Sequence, residues 1–275
     1  MRAAKLGEGE QPLRLRRRSR FRYNEAVNPA EFANIATAEQ QLWWYRGMRR
    51  ILFAVLDPIV AARPIERALE AGCGTGYLAK VLHERYDWRV CPVDLGWEGL
   101  QHGRRLGVER LAQADLATLP FPARFFQAVL ALDVLAHFPR GEEERAVVEL
   151  ARVLAPGGIL ILRVSALGIL RSRHSQFVRE RQRFTRKRLV ELVQRHGVRV
   201  LRSTCANSLL LPVALAKFRI WEPLLRRPPA SGVTPVPRWL DRLLYLPLAW
   251  ESVWLGAGLS FPLGQSVILI GEKTA

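Results

Sequence analysis

Three glycines alternate with other residues directly after an acidic residue: the order is Glu70, Gly72, Gly74 and Gly76. Apolar residues precede them and an amphipathic stretch follows, which is the pattern of a buried strand, a tight turn and the start of a helix. Glycine lets the backbone turn sharply and lets a ligand approach closely, and the unpaired N–H groups of a helix start face that ligand. The stretch predicts a loop that binds a cofactor, although an ordinary glycine-rich turn has the same appearance.

Further acidic residues fall at or near the ends of later predicted strands: Asp94, Asp115 and Asp133. In an open parallel sheet, ligands bind at the carboxyl ends of the strands, where the strand order reverses. Asp94 follows the loop at a distance that lets its carboxylate accept hydrogen bonds from both hydroxyls of a ribose. Each aspartate alone could equally be a helix cap or a loop residue.

The loop also allows a different cofactor. Residues 74–79 fit the loose glycine pattern of dinucleotide-binding loops. That interpretation leaves Gly72 and Glu70 unexplained, because a pyrophosphate gains nothing from a nearby carboxylate.

The elements around these residues alternate between strands and helices, which is typical of a parallel sheet covered on both faces. The predicted strands cover residues 66–71, 88–93, 108–114, 125–132, 159–164, 198–205 and 266–270. The predicted helices cover residues 30–56, 76–86, 97–106, 141–154, 185–195, 207–221 and 238–256. We expect Asp57-Pro58 to end the first helix, residues 155–158 to form a turn, and Thr185 to cap a helix.

The composition limits the partners and the compartment. The net charge is +17, and most of it lies in residues 1–22 (8 basic, 2 acidic) and 163–199 (11 basic, 2 acidic). Such a surface could bind phosphate, an anionic membrane or an acidic substrate, or it could be a solvated surface without a partner. The three cysteines form no metal-binding pattern, so we expect a reducing, cytoplasmic environment and no metal site. We expect neither a secretory signal nor a membrane-spanning helix.

Changes in composition divide the chain into five parts. We expect a disordered basic arm at 1–22, a helical lead-in at 23–64, the core at 65–206, a helical cap insertion at 207–262 and a final core strand at 263–275.

The glycine loop resembles motif I of the class I S-adenosylmethionine-dependent methyltransferases. The resemblance continues at Asp94, at 113–116, at 133–138 and at 154–158. It implies a Rossmann-like, doubly wound, seven-stranded sheet with an antiparallel last strand, and S-adenosyl-L-methionine as the cofactor. It implies cofactor contacts at Glu70, Gly72, Cys73, Gly74, Gly76, Asp94, Leu95, Asp115, Leu116, Leu132 and Asp133.

A narrower likeness covers most of the chain. Residues 39–47 look like the "HWWYRGRR" lead-in of a bacterial methyltransferase group, and residues 173–185, 207–210 and 261–266 also match that group. Four positions differ from the usual residues of the group, and they concern substrate contacts more than cofactor contacts. These positions are Gln41, Ala136, Ser175 and Glu180.

Methyl transfer is an in-line displacement that depends mainly on positioning and desolvation. A base is needed where the acceptor loses a proton, and His137 and His174 are the candidates, with structural roles as the alternative. We expect acceptor contacts from the lead-in and from the Arg-rich segment after the fifth strand. The candidate residues are Trp44, Tyr45, Arg46 and Arg183. Each of these could instead pack on the domain or lie on a solvated surface.

The sequence thus favours methyl transfer to an oxygen or nitrogen of a small-molecule, glycan or lipid-linked acceptor. The aromatic stretch 239–261 suits peripheral contact with the inner face of a membrane, or a cap helix packed on the sheet. An RNA acceptor agrees with the charge, but residues 132–135 lack the N/D-P-P-Y type motif of many base methylators. A cofactor-binding or membrane-docked scaffold without turnover is the non-enzyme alternative.

Overall fold

The computed structural model describes residues 28–225 and 227–274. The basic arm predicted for residues 1–22, and the first residues of the predicted lead-in, lie outside the described residues.

A seven-stranded sheet forms the centre of the molecule, in the order β3-β2-β1-β4-β5-β7-β6. Strands β1 to β5 run parallel to one another, and β7 lies antiparallel between β5 and β6. The predicted Rossmann-like fold with an antiparallel last strand is therefore confirmed. The strands are β1 (Arg67–Ala71), β2 (Arg89–Asp94), β3 (Ala112–Gln113), β4 (Phe126–Leu132), β5 (Leu154–Ser165), β6 (Val198–Ala206) and β7 (Ser266–Lys273).

Helices cover both faces of this sheet. They are α1 (Ala30–Ala38), α2 (Trp43–Val60), α3 (Tyr77–Tyr86), α4 (Trp97–Arg105), α5 (Glu143–Val153), α6 (Arg173–Phe177), α7 (Arg186–Gln194), α8 (Leu211–Leu215), α9 (Glu222–Leu225) and α10 (Arg238–Gly256). A π-helical turn, Ala216–Trp221, joins α8 to α9, and short 3-10 turns lie at Leu135–His137 and Gly168–Leu170.

The central strands send alternate side chains into two hydrophobic cores, as the period of two in a strand requires. On β5, Leu160 and Leu162 join the core under α5 and α7. Ile159 and Ile161 join the core under α2, α3 and α10. The continuous apolar run of β5 follows from this burial on both faces.

The predicted helix 30–56 is wrong in two respects. The structure has two helices there, α1 and α2, and α2 continues through Pro58 to Val60. Val55, Leu56 and Val60 are buried, so the apolar stripe extends past the expected stop. The carboxylate of Asp57 also binds the side chains of Arg85 and Tyr86 on α3. Tertiary packing thus outweighs the helix-ending preference of proline.

Two other predictions need correction. Strand β3 has only two residues instead of the predicted 108–114, because Arg110 adopts a left-handed conformation (φ +57°) that interrupts an extended chain. The turn predicted at 155–158 lies inside β5, where the pairing with β4 jumps from Leu154 to Ile159. The residues between them bulge outward, with Gly157 at φ +72°.

The cap helix α10 packs along α2. Asp241 accepts the backbone N–H of Trp43 at 2.7 Å, which caps α2, and its other oxygen pairs with Arg46. A Cβ at Gly47 would lie only 2.3 Å from Cδ1 of Leu248, so the two helices approach closely at a glycine. None of the helices in the described part of the chain is long and apolar enough to cross a membrane.

Candidate active site

The glycine loop joins β1 to α3, and all three alternate glycines have positive φ: 78° at Gly72, 58° at Gly74 and 72° at Gly76. The N–H groups of Gly72 and Cys73 both donate to the carbonyl of Val93, at 2.7 and 2.9 Å. A Cβ at Gly72 would lie 2.2 Å from Val134. The loop is therefore fixed between the ends of β2 and β4, in a conformation that only glycine adopts readily.

Asp94 lies at the end of β2 and connects the two loops beside it. Its Oδ2 accepts the N–H of Gly74 at 2.7 Å, and its Oδ1 accepts the N–H of Gly96 at 2.6 Å. Burial raises the pKa of this carboxyl, and these backbone hydrogen bonds oppose the increase. Each carboxylate oxygen has further acceptor capacity, so Asp94 could also accept ligand hydroxyls.

Glu70 lies on β1 below the loop. It is buried, and its Oε2 has no hydrogen-bond partner among the described residues. Burial raises the pKa of this carboxyl to about 8, and the charges of Glu39 and Asp94 add to the effect. A buried, unpaired carboxylate oxygen is costly, and a cationic ligand at the loop would compensate it.

The lead-in folds back over the glycine loop. Thr75 donates its hydroxyl to the carboxylate of Glu39, with its Oγ1 2.7 and 2.6 Å from the two oxygens. Burial raises the pKa of Glu39 to about 7. A Cβ at Gly96 would lie 2.3 Å from the ring of Phe32, which is itself buried. Phe32, Glu39 and Thr75 were not predicted to be site residues, because no local sequence pattern links them.

The end of β4 meets the start of α2. Arg163 donates from Nε and Nη2 to Oδ2 of Asp133, at 2.9 and 2.5 Å. The same guanidinium lies 5.2 Å from the ring centre of Trp44. Burial raises the pKa of Tyr45, and the charges of Glu31 and Glu39 add to it, while Arg163 opposes it. Three predicted residues, Asp133, Trp44 and Tyr45, thus come together at this end of the sheet.

The remaining predicted cofactor residues lie at the same carboxyl edge. Leu132 ends β4, and Leu95 directly follows β2. Asp115 follows β3 and accepts the N–H of Ala117 at 2.9 Å, which makes a local turn. Leu116 beside it is buried.

His137 lies in the 3-10 turn after β4. Burial lowers its pKa, so the ring is neutral near pH 7, and its Nδ1 has no partner among the described residues. The backbone N–H groups of Arg181 and Gln182 donate to the carbonyl of Ala136, at 2.9 and 3.2 Å. The segment after β5 is therefore tied to the turn that holds His137.

His174 is already engaged. Its Nδ1 accepts the N–H of Gly232 at 2.9 Å, so that nitrogen carries no proton. The Oε1 of Glu31 is 3.8 Å from the same Nδ1, but burial lowers the pKa of His174, which favours the neutral ring over an ion pair. Only Nε2 of His174 remains to meet a ligand.

The two arginines that were predicted to bind the acceptor form hydrogen bonds with other groups of the protein. Arg183 donates to Glu180, to the carbonyl of Ala166 and to Ser175. Arg46 pairs with Asp241 and lies 4.6 Å from the ring centre of Tyr245. In this structure both arginines hold neighbouring elements together.

Comparison with known proteins gives this geometry a chemical context. Residues 69–162 match the family model described as "Methyltransferase domain". The chain is 34% identical over 106 residues to the probable tRNA methyltransferase 9B of Mus musculus, an alignment of 38% of this chain and 23% of that protein. It is 30% identical over 148 residues to the malonyl-[acyl-carrier protein] O-methyltransferase of Salmonella typhimurium, covering 54% of this chain and 57% of that protein. The chain thus spans less than two thirds of either relative.

The fold is also similar to that of a solved structure. A chain in the complex between the Haloferax volcanii Trm112 methyltransferase activator and a methyltransferase aligns with a TM-score of 0.56 and 17% identity. The alignment covers 90% of this chain and 98% of that chain. This likeness concerns the fold. The family match lies on β1 to β5, the part of the sheet that carries the glycine loop and Asp94.

Proposed function

We propose that the whole chain is a methyltransferase. The proposal starts from residues 69–162, which form a class I, S-adenosylmethionine-dependent methyltransferase domain. Its acceptor is an oxygen or nitrogen atom of a small-molecule, glycan or lipid-linked compound. The cofactor, when bound, supplies a methyl group activated by a sulfonium. The protein supplies binding, orientation and exclusion of water.

The observation that carries this proposal is the pair of acidic side chains around the glycine loop. Glu70 has a buried oxygen without a partner, which suits a ligand with positive charge and does not suit a pyrophosphate. Asp94 retains acceptor capacity for two ribose hydroxyls beside the same loop. A nucleoside that carries a cation fits this pair of acidic side chains better than a dinucleotide does.

On the acceptor side, His137 is the group we assign to proton removal. It is buried and neutral, and its Nδ1 has no partner in the described part of the chain. A neutral imidazole nitrogen can take the proton that an O–H or N–H acceptor loses as it is methylated. His174 could act only through Nε2, since its Nδ1 already accepts a backbone N–H.

The parts of the chain divide the work in this proposal. The core, residues 65–206 with 263–275, holds the cofactor. The lead-in at 23–64, which we assign to the bacterial group with the "HWWYRGRR" motif, presents Trp44 and Tyr45 to the acceptor. The cap insertion at 207–262 closes the other side. We propose a cytoplasmic location, with peripheral contact at the inner membrane face for a lipid-linked acceptor.

RNA is the second candidate acceptor, because of the net charge of +17 and the name of the mouse relative. In the basic segment after β5, however, Arg183 is paired with Glu180 and Arg188 with Glu143. These pairs neutralise two of the eleven basic side chains in residues 163–199, which reduces the charge available to RNA phosphates. A non-catalytic scaffold would bind the cofactor and transfer no methyl group.

Calorimetry tests the cofactor site. S-adenosylhomocysteine should bind the wild type with a micromolar dissociation constant, and Asp94→Ala should abolish most of the binding. Glu84→Ala, an exposed change on α3, is the matched control and should bind as the wild type does. Binding of NADH in place of S-adenosylhomocysteine would refute the proposal.

A transfer assay tests the acceptor. The enzyme is incubated with S-adenosylmethionine labelled on the methyl group and with the water-soluble, lipid and RNA fractions of a bacterial lysate. Label in the small-molecule or lipid fraction supports the proposal. Label confined to RNA and lost after ribonuclease treatment would favour the second candidate.

A further inference from the structure

The outer side of α10 exposes a continuous row of apolar side chains. Their spacing of four, three, four and three residues places them on one face of the helix, and each is between 51% and 67% exposed. They are Trp239, Leu243, Leu246, Trp250 and Val253, and we call this row the α10 face. Contiguous apolar patches of this kind are unusual on soluble monomers and mark interaction sites.

The α10 face is distinct from the side of α10 that packs on the protein. Leu248 and Leu255 point into the core shared with α2 and are fully buried. The rings of Trp250 and Trp254 stack with their centres 5.3 Å apart, and Trp254 lies 6.0 Å from Phe261. The exposed aromatic rings are therefore supported by neighbours and are held in place.

The same insertion exposes a second set of apolar side chains along the segment from α8 to α9. Val213, Ile220, Trp221 and Leu224 are all more than half exposed. Lys217 and Arg219, also exposed, lie between them in the sequence. The cap insertion thus presents apolar and basic side chains on both of its helical parts.

An arginine-lined cleft lies beside the α10 face. It has a volume of about 390 Å³ and lies between α2 and α10. Four arginines line it, together with one carboxylate and one residue of the α10 face: Arg46, Arg49, Arg50, Arg85, Asp57 and Val253. Val253 belongs both to this lining and to the α10 face, so the cleft opens at the edge of the apolar row.

The cleft has an excess of positive charge. Arg46 and Arg85 are paired with Asp241 and Asp57. Arg49 instead donates to the carbonyl of Glu39 and lies over the ring of Tyr77, and Arg50 donates to the hydroxyl of Tyr245. Neither of these two arginines has a carboxylate within ion-pair distance among the described residues. Arg49 interacts with the carboxyl group of Glu39 only at longer range, so the guanidinium groups of Arg49 and Arg50 both remain for an anion.

We propose that the α10 face and the arginine cleft together form a docking surface for an anionic lipid bilayer. Tryptophan and leucine side chains on one helix face enter the boundary between headgroups and acyl chains. Guanidinium groups at the edge of that face bind lipid phosphates in a fork geometry. The opposite side of α10 is buried against the core shared with α2, so the helix lies along the interface with only its exposed face in contact with lipid.

This docking surface rests on the proposed function in one respect only: it places the enzyme where a lipid-linked acceptor is found. Binding to the bilayer itself needs neither cofactor nor turnover. The two proposals can therefore fail separately.

Vesicle flotation with the full chain tests the surface. The wild type should float with phosphatidylcholine vesicles that contain phosphatidylglycerol and only weakly with phosphatidylcholine alone. The double variant Leu246→Glu/Trp250→Glu should lose about tenfold in bound fraction, because two carboxylates then face the acyl boundary. The variant Arg49→Glu/Arg50→Glu should lose the dependence on phosphatidylglycerol. Ile169→Glu, an exposed apolar residue on another element, is the matched control and should float as the wild type does.

Every variant is also checked for S-adenosylhomocysteine binding and for its melting temperature, so that a folding defect is recognised. Equal flotation of the wild type and Leu246→Glu/Trp250→Glu would overturn the proposal. A wild-type dimer that becomes a monomer in that variant, without flotation, would mean that a second copy covers the face. Saturable binding of inorganic phosphate without flotation would identify a free-phosphate site, and RNA binding without flotation would identify RNA. Each of these three results would also overturn it.

Discussion

At the level of single residues, Glu70 combines burial with a carboxylate oxygen that has no partner among the described residues. Desolvation raises its pKa to about 8, so this carboxyl holds a proton at pH 7. A cation bound beside it favours the charged form and lowers its pKa. We therefore expect cofactor binding and proton release to be coupled at this residue.

We expect S-adenosylmethionine binding at pH 7 to release protons to the buffer. Calorimetry in buffers with different ionisation enthalpies measures the number released. Glu70→Gln should bind more weakly and release fewer protons, because the amide has no proton to give up. Glu84→Gln, at an exposed position on α3, should behave as the wild type does. Unchanged proton release in Glu70→Gln would show that the coupling lies elsewhere, with Glu39 as the next residue to test.

His137 gives a second prediction at this level. His137→Gln should reduce kcat by about a hundredfold or more if the imidazole removes a proton from the acceptor, while the affinity for S-adenosylhomocysteine stays the same. Because burial lowers the pKa of His137, the acid limb of the wild-type kcat profile should lie below the usual pKa of histidine. His174→Gln should retain that limb. A kcat unchanged in His137→Gln would mean that this residue only anchors its turn.

At the level of elements, helix α10 shows how well local signals define an element with clear ends. The predicted bounds, 238–256, agree with the structure, because a proline-rich stretch precedes the helix.

The lead-in was predicted less well. One helix was expected where α1 and α2 lie, since the sequence between them carries no strong helix breaker. The direction in which α1 folds back depends on the contacts that Phe32 and Glu39 make with the loops of the core. The local periodicity of the sequence does not predict these contacts.

The contact between Asp241 and α2 should contribute measurably to stability. Asp241 accepts the N–H of Trp43 and pairs with Arg46, so Asp241→Ala removes a helix cap and an ion pair together. We expect a loss of about 1–3 kcal/mol in the free energy of unfolding, measured by urea denaturation. Arg242→Ala, on the exposed side of the same helix, should change stability little. A loss no larger than that of Arg242→Ala would mean that apolar packing alone holds α10.

The cover that α1 forms over the glycine loop should depend on Thr75. Thr75→Val keeps the shape of the side chain and removes the hydroxyl that donates to Glu39. The buried carboxyl of Glu39 then lacks this donor, so the region around α1 should open locally. Hydrogen exchange followed by mass spectrometry should show faster exchange in residues 30–42 and unchanged exchange in β4 and β5. Equal protection of residues 30–42 in both proteins would contradict this role of Thr75.

At the level of the whole molecule, the residues that could be predicted are those whose role is set by the nearby backbone. The alternate glycines and Asp94 were predicted to lie at one site. The structure places them side by side because they follow β1 and β2, which are adjacent parallel strands. The pair Glu39–Thr75 and the contact of Ser231 with Glu31 join distant parts of the chain. No spacing in the sequence encodes them, since they depend on how the lead-in and the insertion fold onto the core.

The buried ionisable groups together set the pH dependence of stability. Burial raises the pKa values of Glu39, Glu70 and Glu251. The unfolded chain releases these protons near pH 4.5, and the folded chain retains those of Glu39 and Glu70 up to about pH 7 and 8, so stability falls as pH rises between the two values. Burial lowers the pKa values of His137 and His174. Their contribution is complete above their unfolded pKa near 6.5 and is lost as pH falls below it.

From pH 6.5 to pH 8 the carboxyl groups with raised pKa values dominate the balance, so the free energy of unfolding should fall over this range. The two histidines complete their opposing contribution just above pH 6.5, and the cysteines, whose pKa values burial raises, act mainly above pH 8. One carboxyl group can lower the free energy of unfolding by at most about 1.4 kcal/mol per pH unit. Glu70→Gln has no group that titrates at this position and should show a shallower fall. Urea denaturation at both pH values, with Glu84→Gln as the exposed control, measures the difference. If Glu70→Gln falls as steeply as the wild type, the buried carboxyl of Glu70 does not retain its proton through neutral pH, and the proton release expected on cofactor binding must come from another group.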